Sequence, residues 1–360
     1  MKIAFLVLIM GCLFSINLIQ AQTKTENIVL ITLDGLRWQE VFGGADTVLM
    51  KDKNYTRDYE STSLAFGSDN LTESRKKLFP FLWNMVAQNG QLHGNRNAGS
   101  KVNVANPYQF SYPGYNEMLA GFPDSAVNSN DKVNNKNTTV FEFLNRQEKF
   151  KGKIAVFSSW DAFPFIINES RSGVYVNSDT DTINFNNPNL KLINDLQFLA
   201  PRPVGVRPDV ITYMAGREYL KAYHPRILYI AFDETDDLAH AGMYDQYLNA
   251  AHAEDAMLAD IWNILQADAY YKNKTTLIIT CDHGRGGLGK DTWKDHGEKI
   301  MESGETWLAV IGPDTKNLGE VKTDEQLYQK QYAATIAALL GLKFTAEHPV
   351  GEPIREIYSK

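Results

Sequence analysis

Asn27-Ile28-Val29-Leu30-Ile31-Thr32-Leu33, followed at once by Asp34-Gly35, is a near-continuous apolar run that stops on a carboxylate. A run of this kind has no face left for water, which is the pattern of a strand buried on both sides of a parallel sheet. Two further runs repeat it. Ile227 to Phe232 (ILYIAF) ends at Asp233-Glu234, and Thr276 to Thr280 (TLIIT) ends near Asp282-His283-Gly284. In open α/β sheets, ligand sites gather at the carboxyl ends of strands, so three strands feeding three polar clusters predict one shared site. Further strands are expected at Lys153 to Ser158 and Trp307 to Ile311. The fold class that follows is α/β, a three-layer α/β/α sandwich around a mostly parallel central sheet.

Outward from those strands, Gln246 to Ala267 has helical periodicity, with Leu248, Ala251, Met257, Leu258, Ile261, Trp262 and Leu265 able to line one side. Ser111 to Gly121 reads as a shorter helix that Gly121 ends. Thr47 to Ser74 and Pro123 to Asn137 are rich in Asn, Asp and Ser and read as surface excursions. Phe163 to Pro208, with its proline cluster, reads as an insertion, a cap at about 160–210 that would shape access to the site.

The N-terminus has one lysine, the apolar run Ile3 to Met10 and the small-residue step at Ala21, the form of a secretory signal over residues 1–21. Residues 22–360 are then the mature domain, exported to the periplasm or the medium. Cys12 after Gly11 offers lipoprotein anchoring as the alternative, and no other stretch is long and apolar enough for a transmembrane anchor. Cleavage leaves Cys281 alone, with no internal disulfide to form. It also takes the formal charge from −7 to −8, which argues against a nucleic-acid-binding surface.

The most specific chemical signal is Asp236-Asp237-Leu238-Ala239-His240, a D-x-x-x-H spacing just past a buried strand, with Asp282-His283 past another. Carboxylate oxygen and imidazole nitrogen are the donors of catalytic zinc sites that keep positions open for water or substrate. Adding Asp34 and His296, in Asp295-His296-Gly297, gives six mixed donors, enough for two ions. Each has a plain reading taken singly: Asp34-Gly35 a turn, Asp236 a helix-start acid, Ser111 a helix cap. Their joint position at strand ends favours the metal site.

On Leu33-Asp34-Gly35, Ser111-Tyr112-Pro113 with Gly121, Glu234 through His240, Asp282-His283-Gly284 and His296-Gly297, the chain resembles the alkaline phosphatase superfamily, nearest its nucleotide pyrophosphatase/phosphodiesterase branch. The resemblance runs from about Asn27 to about Gly312. It implies one zinc ion on Asp236, His240 and His296, a second on Asp34, Asp282 and His283, and Ser111 as a nucleophile whose oxygen also binds the second metal. Coordination by a dication would make that hydroxyl a competent nucleophile near neutral pH, giving a covalent phosphoserine. In that branch an asparagine some twenty residues past the nucleophile holds a phosphoryl oxygen, which points here to Asn135, with Asn134 next.

Departures from the branch matter. Its phosphodiesterases carry threonine followed by Phe-Pro-Asn, where this chain has Ser111-Tyr112-Pro113-Gly114. Sulfatases of the superfamily need arginine where Tyr115 stands. The expected reaction is hydrolysis of small-molecule phosphate esters, monoesters ahead of diesters, with phosphodiesterase or nucleotide pyrophosphatase as the alternative. A sulfatase-like hydrolase, a phosphotransferase and a non-catalytic envelope binding protein rank lower. Arg37 reads either as a substrate-side cation or as half of a structural salt bridge, and Gly284-Arg285-Gly286-Gly287 as a flexible loop.

Overall fold

The computed structural model describes residues 24–184, 187–202, 205–287 and 289–358, so the expected signal segment and Cys12 lie outside the described residues. The strands are β1 (Asn27–Leu33), β2 (Gln91–His93), β3 (Ser100–Asn103), β4 (Ile154–Ser158), β5 (Tyr175–Ser178), β6 (Ile227–Phe232), β7 (Thr275–Thr280), β8 (Glu305–Thr306), β9 (Leu308–Ile311), β10 (Gly319–Glu320) and β11 (Glu325–Tyr328). Eight of them form one sheet in the order β10-β2-β9-β7-β1-β6-β4-β5, and β11-β3-β8 form a small second sheet. From β7 through β1, β6 and β4 to β5 every pairing is parallel, and β9 runs antiparallel to both its neighbours.

β1 sits between β6 and β7 and is buried along its whole length. Val29, Ile31 and Leu33 point into one apolar core and Ile28 and Leu30 into the other, which is why the run shows no polar face. The helices that bear on the site are α1 (Ser111–Ala120), α2 (Pro188–Leu199), α3 (Asp209–Tyr223), α4 (Glu234–His240) and α5 (Tyr244–Ala267). Gly121 ends α1 at φ +69°, its N–H on the Glu117 carbonyl, as the glycine signal predicts. No helix among the described residues is long and apolar enough to cross a membrane.

One stretch differs from its loop-like reading. Residues 47–74 hold two complete short helices and the start of a third, because Asp46, Asp58 and Asn70 are spent as N-caps whose side chains accept backbone N–H groups. The segment at about 160–210, expected as a cap, contains the sheet's edge strand β5 and α2, whose Leu190 and Ile193 are buried.

Ile31 is fully buried in the central strand. Ile31→Ala is expected to lose about 2–5 kcal/mol in denaturant unfolding, whereas Leu64→Ala, at an 84% exposed position, should stay within about 0.5 kcal/mol of the parent.

Candidate metal centre

The register Leu33↔Phe232 and Thr32↔Thr280 brings the ends of β1, β6 and β7 level. The next residues, Asp34, Asp233 and Cys281 with Asp282 behind it, therefore leave the sheet side by side. β6 runs straight into α4, where Asp236 and His240, one helical turn apart, lie on the same face. Thr235 Oγ1 ties α4 to β1 through the Asp34 carbonyl at 2.7 Å. His296 arrives from the loop between β7 and β8.

Two groups of donors result. Asp236, His240 and His296 offer atoms all within 4.8 Å of one another, and so do Asp34, Asp236 and His283. His240 Nε2 lies 2.9 Å from His296 Nε2 and 3.2 Å from Asp236 Oδ2. His283 Nε2 faces Asp34 Oδ1 at 3.3 Å, Asp282 Oδ2 at 3.5 Å and Asp236 Oδ1 at 3.8 Å. Ser111 Oγ stands 3.4 Å from the same nitrogen. The structure thus gathers Asp34, Ser111, Asp236, His240, Asp282, His283 and His296.

The donor set fits divalent cations on physical grounds. His283 Nδ1 lies 2.9 Å from the Gly284 carbonyl oxygen, which accepts its hydrogen, so in the neutral ring Nε2 carries the lone pair. That lone pair is aimed at carboxylate oxygens, of which Asp34 Oδ1 and Asp282 Oδ2 are buried without a hydrogen-bond partner. Electron pairs facing one another in a buried site need a positive charge among them. Burial, then the charge of Asp236, pushes Asp34 well above the usual carboxylate range, and burial with Asp34 does the same to Asp282. Asp236 is held well below that range, burial being outweighed by the Arg285 guanidinium and the neighbouring imidazoles. Burial, with His283 beside it, pushes His296 down to about 2, so its ring is neutral and keeps a lone pair that a cation could take.

Ser111 is the first residue of α1, and the loop before it is held from behind. The buried Glu117 carboxylate accepts N–H groups from Ala105 (2.8 Å), Asn106 (2.7 Å) and Lys330 (3.1 Å) and the Asn106 amide at 3.0 Å. Asn106 Oδ1 in turn accepts from Tyr108 N and Gln109 N, and Gln109 takes the left-handed φ of +56° that turns the chain into α1. Gly114, the departure from Phe-Pro-Asn, has a packing reason: a Cβ there would sit 2.5 Å from the Asp282 carbonyl oxygen.

Several neighbours escaped the sequence. Tyr115, one turn after Ser111 on the same face of α1, donates its hydroxyl to Asp34 Oδ2 at 2.8 Å; the i, i+4 spacing from Ser111 was the signal available. Arg285 is buried, not part of a free loop: Nη1 pairs with Asp236 Oδ1, Nε donates to the Trp293 carbonyl at 2.9 Å and Nη2 to that of Lys294. Arg37 is committed to Glu40 and the Gly286 carbonyl, the structural reading. Asn135 is spent elsewhere: its amide hydrogens go to Asn116 Oδ1 and the Ile166 carbonyl, and its oxygen accepts the Asn137 N–H. From the same Asn-rich run it is Asn130 that reaches the start of α1, its Oδ1 accepting the Tyr112 N–H at 2.9 Å. A cavity of about 1500 Å³ lies at the other end of β1 beside Thr25, Asp314 and Leu340 and takes no part in the centre.

No family model and no curated protein sequence matches the chain. Solved structures do match in fold. The alkaline phosphatase PafA superposes with a TM-score of 0.60 at 11% identity, over 94% of this chain and 99% of that one. The lipoteichoic acid synthase LtaP from Listeria monocytogenes gives 0.54 at 13% identity, over 88% and 72% of the two chains. A protein of the alkaline phosphatase superfamily from Vibrio parahaemolyticus gives 0.52 at 14%, over 90% and 68%. The chain therefore has the alkaline phosphatase-superfamily fold. At these identities the likeness concerns the fold, and what the centre does is argued from its own residues.

Gly35 turns the chain after Asp34 at φ +58°, and a Cβ there would lie 2.7 Å from Asp236 Oδ1 and 2.8 Å from Arg285 Nη1. Gly35→Ala is expected to lower affinity for added zinc about tenfold or more in chelator competition. Unchanged affinity would show that the close approach is dispensable.

Proposed function

We propose that this chain is a metal-dependent phosphoester hydrolase, acting on small-molecule phosphate esters with monoesters ahead of diesters, through a phosphoserine at Ser111. The observation that carries the reading is the seat of the Ser111 hydroxyl, 3.4 Å from His283 Nε2 and inside the set of donors that Asp34 and Asp282 complete. Asp34, Asp282, His283 and Ser111 Oγ would hold one divalent cation, and Asp236, His240 and His296 the other. Zinc is the ion that this nitrogen and oxygen set suits. Bound there, such cations lower the pKa of a coordinated hydroxyl and offset charge on attacking and leaving oxygens.

The chain's own groups do the positioning. Tyr115 holds Asp34 Oδ2, leaving Oδ1 toward His283. The Gly284 carbonyl fixes the His283 tautomer. Ser111 Oγ gives up its proton and bonds to phosphorus as the bond to the ester oxygen breaks, the alcohol leaving with a proton from water; a second water then attacks phosphorus, the Oγ–P bond breaks, Ser111 regains a proton and phosphate is released. Asn130, with its oxygen on Tyr112 N, is placed to turn its amide hydrogens toward a phosphoryl oxygen above Ser111. That role passes to Asn130 from Asn135. His240, 43% exposed, marks the open side by which an ester enters. The segment 160–210 comes near Tyr115 through Trp160, whose ring lies 6.5 Å away, and is proposed to shape access. Residues 1–21 are proposed to direct export, which would place the substrate outside the cytoplasm.

With zinc present, p-nitrophenyl phosphate is expected to turn over faster than bis-p-nitrophenyl phosphate. Chelation should abolish the activity and added zinc restore it. Ser111→Ala should cut kcat/KM by about 10³-fold or more. The reverse ester preference would make the protein a phosphodiesterase, and silence on both esters with zinc bound would point to a binding protein.

Asn130→Ala is expected to lower kcat/KM by about 10–100-fold with little change in unfolding, whereas Asn135→Ala should cost about 1–3 kcal/mol of stability. An Asn135→Ala variant of normal stability and reduced turnover would return the substrate role to Asn135.

A further inference from the structure

His296 is the one donor of the Asp236, His240 and His296 group that no strand or helix carries. An imidazole that binds a metal is ordinarily oriented by a hydrogen bond at its other ring nitrogen. His296 Nδ1 is buried and has no such partner among the described residues. The seat of this ring therefore depends on how the loop before it is held. Arg285 holds one side, through the carbonyls of Trp293 and Lys294.

Tyr55 holds another. It comes from the turn that follows the short helix Thr47–Lys51 and is 8% exposed. Its hydroxyl donates to Asp291 Oδ1, and Asp52 in the same turn pairs with Lys290. Trp293 is fully buried, and its indole Nε1 has no hydrogen-bond partner among the described residues. The orientation of that indole rests on apolar packing, including edge-on contacts to Tyr55 at 5.5 Å, Tyr244 at 5.1 Å and Tyr247 at 5.7 Å. Lys294 Nζ lies 5.7 Å from the centre of the Tyr55 ring, a cation–π arrangement.

Tyr55 also meets the element that carries His240. Gly242 turns the chain out of α4 at φ +68°, and a Cβ there would lie 3.6 Å from Tyr55 Cδ1 and 3.3 Å from Lys294 Cδ. The Tyr55 carbonyl accepts the N–H of Tyr244, the first residue of α5, at 2.8 Å. One side chain thus stands between the exit of α4, just past His240, and the loop segment just before His296. Across that junction the two imidazoles face one another with Nε2 atoms 2.9 Å apart.

We propose that Tyr55 is a positioning residue for this half of the centre, holding the spacing between His240 and His296 and thereby the affinity for one of two divalent cations. It acts through Asp291, Trp293, Lys294 and Gly242. The stretch at 47–74, a surface excursion by composition, so gains a part in the centre. The effect on metal rests on the proposed role of His240 and His296 as ligands, whereas the grip on the loop does not.

The test uses the full chain, with zinc affinity read by chelator competition. Tyr55→Ala is expected to weaken one of two zinc equivalents by about 10–100-fold. Tyr55→Phe, which keeps the ring, and Asp291→Ala, which removes an exposed acceptor, should each weaken it by about threefold, and Asp291→Asn, which keeps the acceptor, by less. In a His296→Ala background none of these changes should lower zinc affinity further. In the apo protein, amides of residues 289–299 should exchange with deuterium about fivefold faster in Asp291→Ala and Tyr55→Phe than in the parent. Parental zinc affinity in Tyr55→Ala, or an equal loss with and without His296, would overturn the positioning role. Should Tyr55→Ala fail to fold, Tyr55→Phe and Asp291→Ala decide by the same two comparisons. A parent that binds no zinc would defeat the proposed function, and parental exchange rates in both milder variants would separately overturn the grip of Tyr55 on the loop.

Discussion

Everything at the carboxyl end of this sheet answers to one electrostatic constraint: Asp34, Asp236 and Asp282 converge on the lone pair of His283 in a buried place. Two like charges about 4 Å apart cost about 4 kcal/mol each pair at an effective dielectric near 20. Two of the three carboxyls relieve the load by moving toward protonation, and the third by pairing with Arg285. Divalent cations would relieve it more completely, since they satisfy the orphaned oxygens as well as the charge. The sheet's register is what forces the convergence, because β1, β6 and β7 are locked level along their full paired length.

Arg285 connects this constraint to the part of the centre that no strand supports. His296 comes from a loop, and that loop is tied down where Arg285 takes the carbonyls of Trp293 and Lys294 and where Gly286 N–H meets the Asp295 carbonyl at 3.1 Å. The same guanidinium occupies Asp236 Oδ1, leaving Oδ2 beside His240. One cation thus sets the orientation of a carboxylate on α4 and the approach of an imidazole from the loop.

The central strands were legible because burial on both faces leaves its mark in every residue, as in NIVLITL, ILYIAF and TLIIT. The donors were legible because, although each has a plain structural reading alone, carboxylates and imidazoles recur at the ends of three buried strands. Short strands such as β2, β10 and β11 were not, since two to four residues carry no period. The Asn-rich run shows a different limit. Spacing from Ser111 pointed to Asn135, but in irregular chain the distance along the sequence does not fix the distance in space, and Asn130 reaches α1 instead. Tyr115, Arg285 and Asp209 each bond a partner at a sequence separation that no local pattern reports.

The acids around the centre divide by what they face. Glu117 is ringed by four donors, three backbone and one amide, and its work is to hold the loop before Ser111. Asp209 faces the backbone N–H groups at the start of α4 and holds that helix. Asp34 and Asp282 face another electron pair and keep oxygens unbonded. Buried oxygens are normally satisfied, and at the centre the unbonded oxygens of Asp34 and Asp282 are free for a cation. In the proposed reading Asp34, Asp282 and Asp236 with the three imidazoles would be the ligands, while Glu117 and Asp209, whose oxygens are taken by protein donors, belong to the frame.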